Sequence, residues 1–301
     1  MLLRHIRYFL AVAEHRNFTR AAEALHVSQP TLSQQIRQLE DTLGVHLLDR
    51  SGRTIHLTDA GEAYARYASK ALRDLDEGQR AIHDVHDLSR GTLRFAMTPT
   101  FTAYLIGPLL EHYHSRYPNI VVDIVEMPQE RMEVLLAEDA LDLGIAFDDV
   151  RSPDIEVQKL FVESLGLVVG KSHPRAKKAG ALTIRDLESE TLVLLNEEFA
   201  TRHYVDRYCR QHNIAPRIAM QVNSISAVIE IVRRSKLATL LPSAVTREHP
   251  DLQLIDIRPA LPSRTASLLL RKGAYRSAAA SALIALAHEE SANRYARKRT
   301  E

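Results

Sequence analysis

The sequence lacks the features that mark secreted and membrane-spanning proteins. Its 301 residues include one cysteine, Cys209, so no disulfide can form within the chain and a reducing, cytoplasmic compartment is expected. No run of about 18 uncharged apolar residues occurs, which argues against a membrane span. Arg4, His5 and Arg7 interrupt the N-terminal segment, so we expect no signal peptide.

Motifs of several enzyme classes are also missing. The sequence contains no glycine-rich phosphate loop, no His-x-x-x-His metal pair and no G-x-S-x-G elbow. His83 and His86 are spaced as neighbours on a helix, but a metal needs about three or four ligands and no others cluster beside them. We therefore expect no enzyme activity, no metal and no cofactor.

Net charge gives no direct sign of nucleic-acid binding. The 39 Lys and Arg residues against 38 Asp and Glu leave a formal charge of +1. Residues 1–60 hold seven basic and six acidic residues, again +1, but every one of these basic residues is arginine. Arginine favours forked contacts to phosphate or guanine, so DNA binding has to be argued from where the arginines stand.

The pattern of residues 1–60 is typical of a winged helix-turn-helix. Apolar residues three or four apart predict a helix over residues 3–15, Asn17 can cap a short second helix, and Ser28 can cap a third that ends at Gly44. Two helices joined by a tight turn form the helix-turn-helix motif. Apolar residues flanking a Ser-Gly turn then predict a hairpin over residues 47–57, the wing.

The third helix carries the side chains expected to read DNA. Leu32, Ile36 and Leu39 form its buried stripe, so its polar face turns outward, and glutamine and arginine suit base edges and phosphates. We expect Gln35, Gln38 and Glu40 to face solvent or to bond within the helix. The expected DNA-binding residues are Thr19, Arg20, Gln29, Pro30, Thr31, Ser33, Gln34, Arg37, Arg50 and Arg53.

A long amphipathic helix is predicted over residues 59–88, with Thr58 as its cap. An apolar stripe of this length favours coiled-coil pairing with a second chain. The alternative is a helix packed within its own domain. Beyond it, strands and helices alternate from residue 91 onward, which predicts parallel sheets covered by helices.

The run from Phe18 to Glu40, with residues 43–50 and 57–61, resembles the N-terminal signature of LysR-type transcriptional regulators. The resemblance extends over the whole chain. It implies an α+β multi-domain fold with three parts. These are a winged helix-turn-helix (1–58), a dimerisation helix (59–90) and a two-lobed α/β effector domain like a periplasmic binding protein (91–301). Lobe I would span about 91–162 and 266–301, and lobe II about 163–265.

The resemblance also implies what the protein does. It implies a dimer that assembles into a homotetramer and binds a double-stranded DNA operator. It also implies a regulator that contacts RNA polymerase, activates a neighbouring operon and represses its own gene. Several segments are most similar to the activators of cyanate-degradation operons, implying cyanate or a similar small anion as inducer. A different small organic acid is the alternative. These segments are residues 49–55, 80–85, 98–102, 106–108, 142–147, 198–202 and 223–228.

In a two-lobed α/β domain, a ligand binds between the lobes, at the carboxyl ends of strands and the N-termini of helices. The segments that meet this description carry hydroxyl groups suited to an anion, although the same residues also serve as ordinary helix caps. The expected effector-binding residues are Thr98, Pro99, Thr100, Phe101, Phe147, Asn196, Phe199, Thr201, Asn223 and Ser224.

Two other classes of protein compete with this interpretation. A periplasmic solute-binding protein would account for residues 91–301, but not for the helix-turn-helix pattern or the missing signal peptide. An enzyme without a DNA role would need a catalytic constellation, and we find none in the sequence.

Overall fold

The computed structural model describes residues 2–52, 54–83, 88, 91–177 and 180–298. The chain divides into two compact units, Met1–His83 and Asp84–Glu301. No helix of the described residues has the length and apolar character needed to span a membrane.

The first unit has the predicted helices and hairpin. Its elements are α1 (Leu3–His15), α2 (Phe18–Ala24), α3 (Gln29–Leu43), β1 (Leu48–Asp49), β2 (His56–Leu57) and α4 (Asp59–His83). Asn17 Oδ1 accepts the first free N–H groups of α2, and Ser28 Oγ accepts the Thr31 N–H at 3.3 Å. Gly44, at φ +68°, ends α3 in the left-handed conformation that glycine tolerates best. The predicted caps are confirmed.

The core of this unit joins α1, α2 and α3. Phe9 and Val12 of α1 pack with Leu32, Ile36 and Leu39 of α3, and none of the five side chains is exposed to solvent. The predicted inner stripe of α3 is therefore confirmed, and its other face is free to meet a partner.

The wing lies close to the start of α4. β1 and β2 pair antiparallel, with Leu48 opposite Leu57. Gly61, in the first turn of α4, lies so close to this hairpin that a Cβ atom would be 2.0 Å from the Leu47 carbonyl oxygen. Glycine is therefore required at residue 61 by steric exclusion.

The second unit contains two five-stranded sheets. The elements around the first sheet are β3 (Gly91–Met97), α5 (Ile106–Arg116), β4 (Ile120–Glu126), α6 (Gln129–Ala137), β5 (Leu143–Phe147), β6 (Ile155–Glu163), β14 (Arg264–Arg271) and α11 (Ala278–Lys298). The strand order is β4-β3-β5-β14-β6.

The elements around the second sheet are β7 (Leu165–Gly170), β8 (Leu182–Thr183), α7 (Ile184–Glu188), β9 (Thr191–Leu195), α8 (Ala200–Gln211), β10 (Arg217–Val222), α9 (Ile225–Arg234), β11 (Ala238–Pro242), α10 (Val245–Glu248), β12 (Leu252–Ile255) and β13 (Ile257–Arg258). The strand order is β10-β9-β11-β7-β12, and β8 and β13 form a separate pair.

Both five-stranded sheets are mixed, so the prediction of parallel sheets is correct for only part of each sheet. In the first sheet β3 is parallel to β4 and β5, but β14 is antiparallel to β5 and β6. In the second, β7 is antiparallel to β11 and β12. The antiparallel strands arise because the chain passes between the sheets instead of completing one sheet by right-handed crossovers.

The passage between the sheets runs along β6 and β14. At the end of β6 the chain enters β7 of the second sheet, and it returns to the first at the start of β14. Glu163 at the end of β6 is the register partner of Arg264 at the start of β14. These two residues therefore mark the place where the two lobes meet.

Candidate nucleic-acid interface and ligand cleft

The outward face of α3 presents the polar side chains expected to read DNA. Ser33 is half-buried, and the other expected residues of α2 and α3 are exposed. The exposed ones are Thr19, Arg20, Gln29, Pro30, Thr31, Gln34 and Arg37. Glutamine and arginine on an exposed helix face have the donors and acceptors that major-groove base edges require. Arg53, the remaining wing residue, lies outside the described residues.

Arg50 is held inside the unit. Its Nη2 donates to Glu40 Oε2 at 2.8 Å, and its guanidinium carbon lies 5.3 Å from the centre of the Phe18 ring. The prediction that Glu40 faces solvent or bonds within α3 was wrong. Glu40 is buried, and its Oε1 also accepts the backbone N–H groups of Leu47 (2.9 Å) and Leu48 (3.2 Å), which lie outside the helix. Glu40 therefore joins the end of α3 to the base of the wing.

Gln35 makes internal contacts, as the sequence predicted for it. Its Nε2 donates to Gln38 Oε1 at 3.1 Å within α3, and its Oε1 lies 2.9 Å from His5 Nε2 on α1. This side chain is thereby turned away from the face that carries Gln34 and Arg37.

The second half of α4 leaves apolar side chains in solvent. Tyr67, Leu75 and Ile82 are 75%, 48% and 72% exposed. They stand about two helical turns apart, so they share one side of the helix. The predicted continuation of this helix through Val85 lies outside the described residues.

In the second unit, a cavity of about 350 Å³ opens between the first-sheet loops and α8. Its lining from the first-sheet side is Thr98, Pro99, Pro128, Gln129, Glu130, Glu133, Phe147, Asp149 and Arg151. Its lining from the α8 side is Glu198, Ala200, His203, Tyr204, Arg207 and Arg210. Of the expected effector-binding residues, the structure brings Thr98, Pro99 and Phe147 together in this lining.

Two buried polar atoms of the second unit have no hydrogen-bond partner in the described structure, and one of them, on Thr98, lies at the wall of this cleft. Thr98 is 4% exposed, and its Oγ1 makes no hydrogen bond to any described residue. Asn196 Oδ1 is buried in the same condition, while Asn196 Nδ2 donates to Glu198 Oε2 at 3.3 Å. Buried polar groups without partners are uncommon in proteins, and a ligand is one explanation for them.

The other expected effector residues lie elsewhere. Thr100, Phe101 and Phe199 are buried, and the two phenylalanines belong to the apolar core. Ser224 Oγ accepts the Ala227 N–H at 3.4 Å as an ordinary cap of α9, and Asn223 is exposed outside the lining. Sequence patterns could not separate these caps and core residues from ligand contacts, because all follow a strand and open a helix.

Sequence reasoning missed Gln129, which shapes one wall of the cleft. Its Oε1 accepts the Phe147 N–H at 3.0 Å, and its Nε2 donates to the carbonyl groups of Phe147 (3.1 Å) and Asp149 (2.9 Å). Glu133 Oε2 accepts the N–H groups of Arg151 and Ser152 at 3.0 and 2.9 Å. These bonds fix the loop after β5.

The buried centre beneath the cleft was missed as well. Arg264 Nε donates to Glu163 Oε2, and the Tyr104 hydroxyl donates to the other carboxylate oxygen. Arg264 Nη2 donates to Thr201 Oγ1 at 3.0 Å, so Thr201 binds this arginine. The guanidinium carbon lies 3.9 Å from the centre of the Phe147 ring. An arginine at the start of a predicted strand gives no sequence signal of such a role.

Two family models cover almost the whole chain. Residues 3–62 match the model described as bacterial regulatory helix-turn-helix protein, lysR family, and residues 86–292 match the LysR substrate binding domain. The helix-turn-helix and the two-lobed α/β unit are thus those of the matched family.

Similar proteins are transcriptional regulators. A probable RuBisCO transcriptional regulator of Thalassiosira pseudonana is 31% identical over 92% of this chain and 94% of its own length. A full-length OxyR variant from Pseudomonas aeruginosa has a similar structure, with a TM-score of 0.69, 26% identity and coverage of 95% of this chain and 94% of that one. Full-length CbnR in complex with its target DNA gives a TM-score of 0.59 and 26% identity, over 97% of this chain and 100% of that one.

Proposed function

The chain belongs to the LysR family of bacterial transcriptional regulators, and from this premise we propose that it activates an operon near its own gene when a small organic anion binds the cleft at Thr98 and Phe147. It is a DNA-binding regulator with an effector domain, not an enzyme. We further propose that it acts in the cytoplasm, represses its own gene and contacts RNA polymerase at the promoters that it activates.

The unpartnered hydroxyl of Thr98 carries the proposal for the effector site. This group is buried at the wall of a cavity of about 350 Å³, where Phe147 and Tyr204 supply apolar surface. Cavities of this size and mixed lining are typical of small-molecule sites. A ligand oxygen in the cleft would give the Thr98 hydroxyl the partner that it lacks.

The size of the cavity favours an organic acid over cyanate alone. A water molecule takes up about 30 Å³ in the liquid, so the cavity corresponds to about ten water-sized groups. Cyanate has only three atoms and would leave most of this space to water. We therefore place the alternative inducer, a larger organic acid, ahead of cyanate.

The DNA-binding part of the proposal assigns different roles to Arg37 and Arg50. Gln29 and Gln34 stand on the exposed face of α3 and would enter the major groove, while Arg37 on the same helix would contact the phosphate backbone. Arg50, bound to Glu40, would instead hold the wing in place. The exposed stripe of α4 would pair two such units on the half-sites of an operator, and dimers would assemble into tetramers.

The test combines binding and transcription. Purified full-length protein is titrated onto labelled DNA from the region next to its own gene, and a reporter driven by the same DNA is assayed with cyanate and with a panel of organic acids. We expect binding at sub-micromolar protein concentration and induction by at least one organic acid. Absence of binding to this DNA would contradict local regulation, and induction by cyanate alone would contradict the larger acid.

A further inference from the structure

Among the described residues, the guanidinium of Arg264 has one nitrogen without a hydrogen-bond partner. The side chain is fully buried, with Nε bound to Glu163 and Nη2 bound to Thr201. Nη1 is also buried and makes no hydrogen bond within the described chain. An arginine side chain has five N–H donors, and its guanidinium group stays positively charged in proteins. A buried guanidinium nitrogen without an acceptor is therefore unfavourable and calls for an explanation.

We infer that Arg264 binds the carboxylate of the effector, with Nη1 donating to one carboxylate oxygen. This inference rests on the proposed function of the cleft, because it names the chemical group that the cleft recognises. A charge-assisted hydrogen bond between guanidinium and carboxylate is stronger than a bond between neutral groups. Arg264 is thus a specificity-determining residue of the effector site.

The position of Arg264 relative to the cleft supports this role. The guanidinium carbon lies 3.9 Å from the centre of the Phe147 ring and 5.4 Å from that of Tyr204, and both rings line the cleft. Tyr204 is half-buried, and Arg207 lies 5.6 Å from its ring on the outer side of the site. Two residues of the cavity wall therefore contact the buried guanidinium directly.

The charges around Arg264 favour a monocarboxylate. Glu163 is buried beside it and already balances its positive charge. A doubly charged phosphate would place two further negative charges next to Glu163, whereas a carboxylate brings one. The Thr98 hydroxyl, unpartnered at the same cleft, is available to donate to the second carboxylate oxygen. The rest of a ligand would lie against the apolar surfaces of Pro99 and Phe147.

The test compares each acid with its own amide. Isothermal titration calorimetry on the full-length protein uses a panel of aromatic and aliphatic monocarboxylates together with the matching primary amides, which keep the shape and remove the charge. We expect at least one acid to bind the wild type at least about tenfold more tightly than its amide. The variant Arg264→Lys should lose this preference, because lysine lacks the planar fork.

Two further variants keep the result interpretable. Arg217→Lys makes the same exchange at an exposed residue of β10 outside the lining of the cleft and should retain the preference for the acid. Thr98→Val preserves side-chain shape, removes one hydroxyl and should weaken acid binding, which gives a second measurement if Arg264→Lys fails to fold.

Three outcomes would overturn the inference. These are equal binding of acids and amides, equal effects of the lysine exchanges at residues 264 and 217, and no binding of any acid by the wild type. Operator binding by the same protein preparations is measured in parallel. Intact operator binding and effector response without any acid preference would sink the role of Arg264 and leave the proposed regulator standing.

Discussion

Glu40 at the end of α3 holds Arg50 at the base of the wing, with 2.8 Å between Oε2 and Nη2. The other oxygen of Glu40 accepts the N–H groups of Leu47 and Leu48. One buried carboxylate therefore fixes the start of the hairpin relative to the helix expected to read DNA. The geometry of the wing depends on this carboxylate as much as on the hairpin itself.

Replacement of Glu40 by alanine should destabilise the first unit. Three hydrogen bonds to a buried carboxylate are lost. A hydrogen bond to a charged group contributes about 1.5–3 kcal/mol net, contributions within one network do not add, and Arg50 is partly exposed and can be rehydrated. We expect a loss of about 2–3 kcal/mol in the free energy of unfolding, measured by urea titration. Asp41→Ala removes an exposed neighbouring carboxylate and serves as control. Equal stability of the two variants would refute the role of Glu40.

Gln34 and Arg37 should affect DNA binding in different ways. Gln34→Ala should cost about 1–3 kcal/mol of discrimination between the operator and a changed site, because a base-edge contact is lost. Arg37→Ala should weaken binding to all sequences and reduce the slope of log K against log salt by about 1, as expected for one lost phosphate contact. Fluorescence anisotropy at several salt concentrations measures both effects, with Arg66→Ala on α4 as control. If both variants bound with wild-type affinity and salt slope, another face of α3 would have to read the DNA.

The local structure of the first unit could be predicted because its signals are local. Asn17, Ser28 and Gly44 act through their own helix ends, and an apolar stripe reports directly on burial. Glu40 shows the limit of this reasoning. A charged residue beside a buried leucine looks solvent-facing in the sequence, and only the fold brings it to the N–H groups of Leu47 and Leu48.

The ligand cleft was harder to predict because residues distant in the sequence build it. Thr98 follows β3 and Phe147 ends β5, and the rule that ligands bind at strand ends predicted both residues, which line the cavity. Tyr104 lies 59 residues before Glu163, and Arg264 lies 101 residues after it, once the chain has crossed between the sheets and returned. The strand Ile155–Glu163 itself was not predicted, so the centre that depends on it could not be found.

Exposed apolar side chains on α4 predict a dimer held through this helix. Leu75→Glu and Ile82→Glu should each weaken association by about 100-fold or more, because burial of such a side chain contributes about 1.5–3 kcal/mol and a two-fold axis repeats the loss. Analytical ultracentrifugation across protein concentrations gives the dissociation constant. Asp74→Lys changes an exposed polar residue of the same helix and should have little effect. If association survived both glutamate variants, dimers would have to form through another surface.

The free energy of unfolding should decrease as the pH falls below the ordinary pKa of histidine, because His173 is buried in the neutral form. The residue is 4% exposed, and burial lowers the pKa of its imidazole below the ordinary value of 6.5, although Glu190 at 3.4 Å opposes this shift. In the native state Nδ1 accepts the Arg175 N–H at 3.2 Å, which requires that nitrogen to be unprotonated. The unfolded chain therefore binds more protons than the native chain just below pH 6.5, and stability is lost as the pH falls through that range.

The variant His173→Gln isolates this effect from the other histidines. Glutamine can still accept the backbone hydrogen bond through its side-chain oxygen but does not titrate. Urea unfolding of the full chain at pH 7.5 and pH 5.5 should show a smaller loss of stability for the variant than for the wild type. If the two proteins lost the same free energy of unfolding between these pH values, His173 would be protonated equally in the folded and unfolded states. Burial would then not lower its pKa in the folded protein.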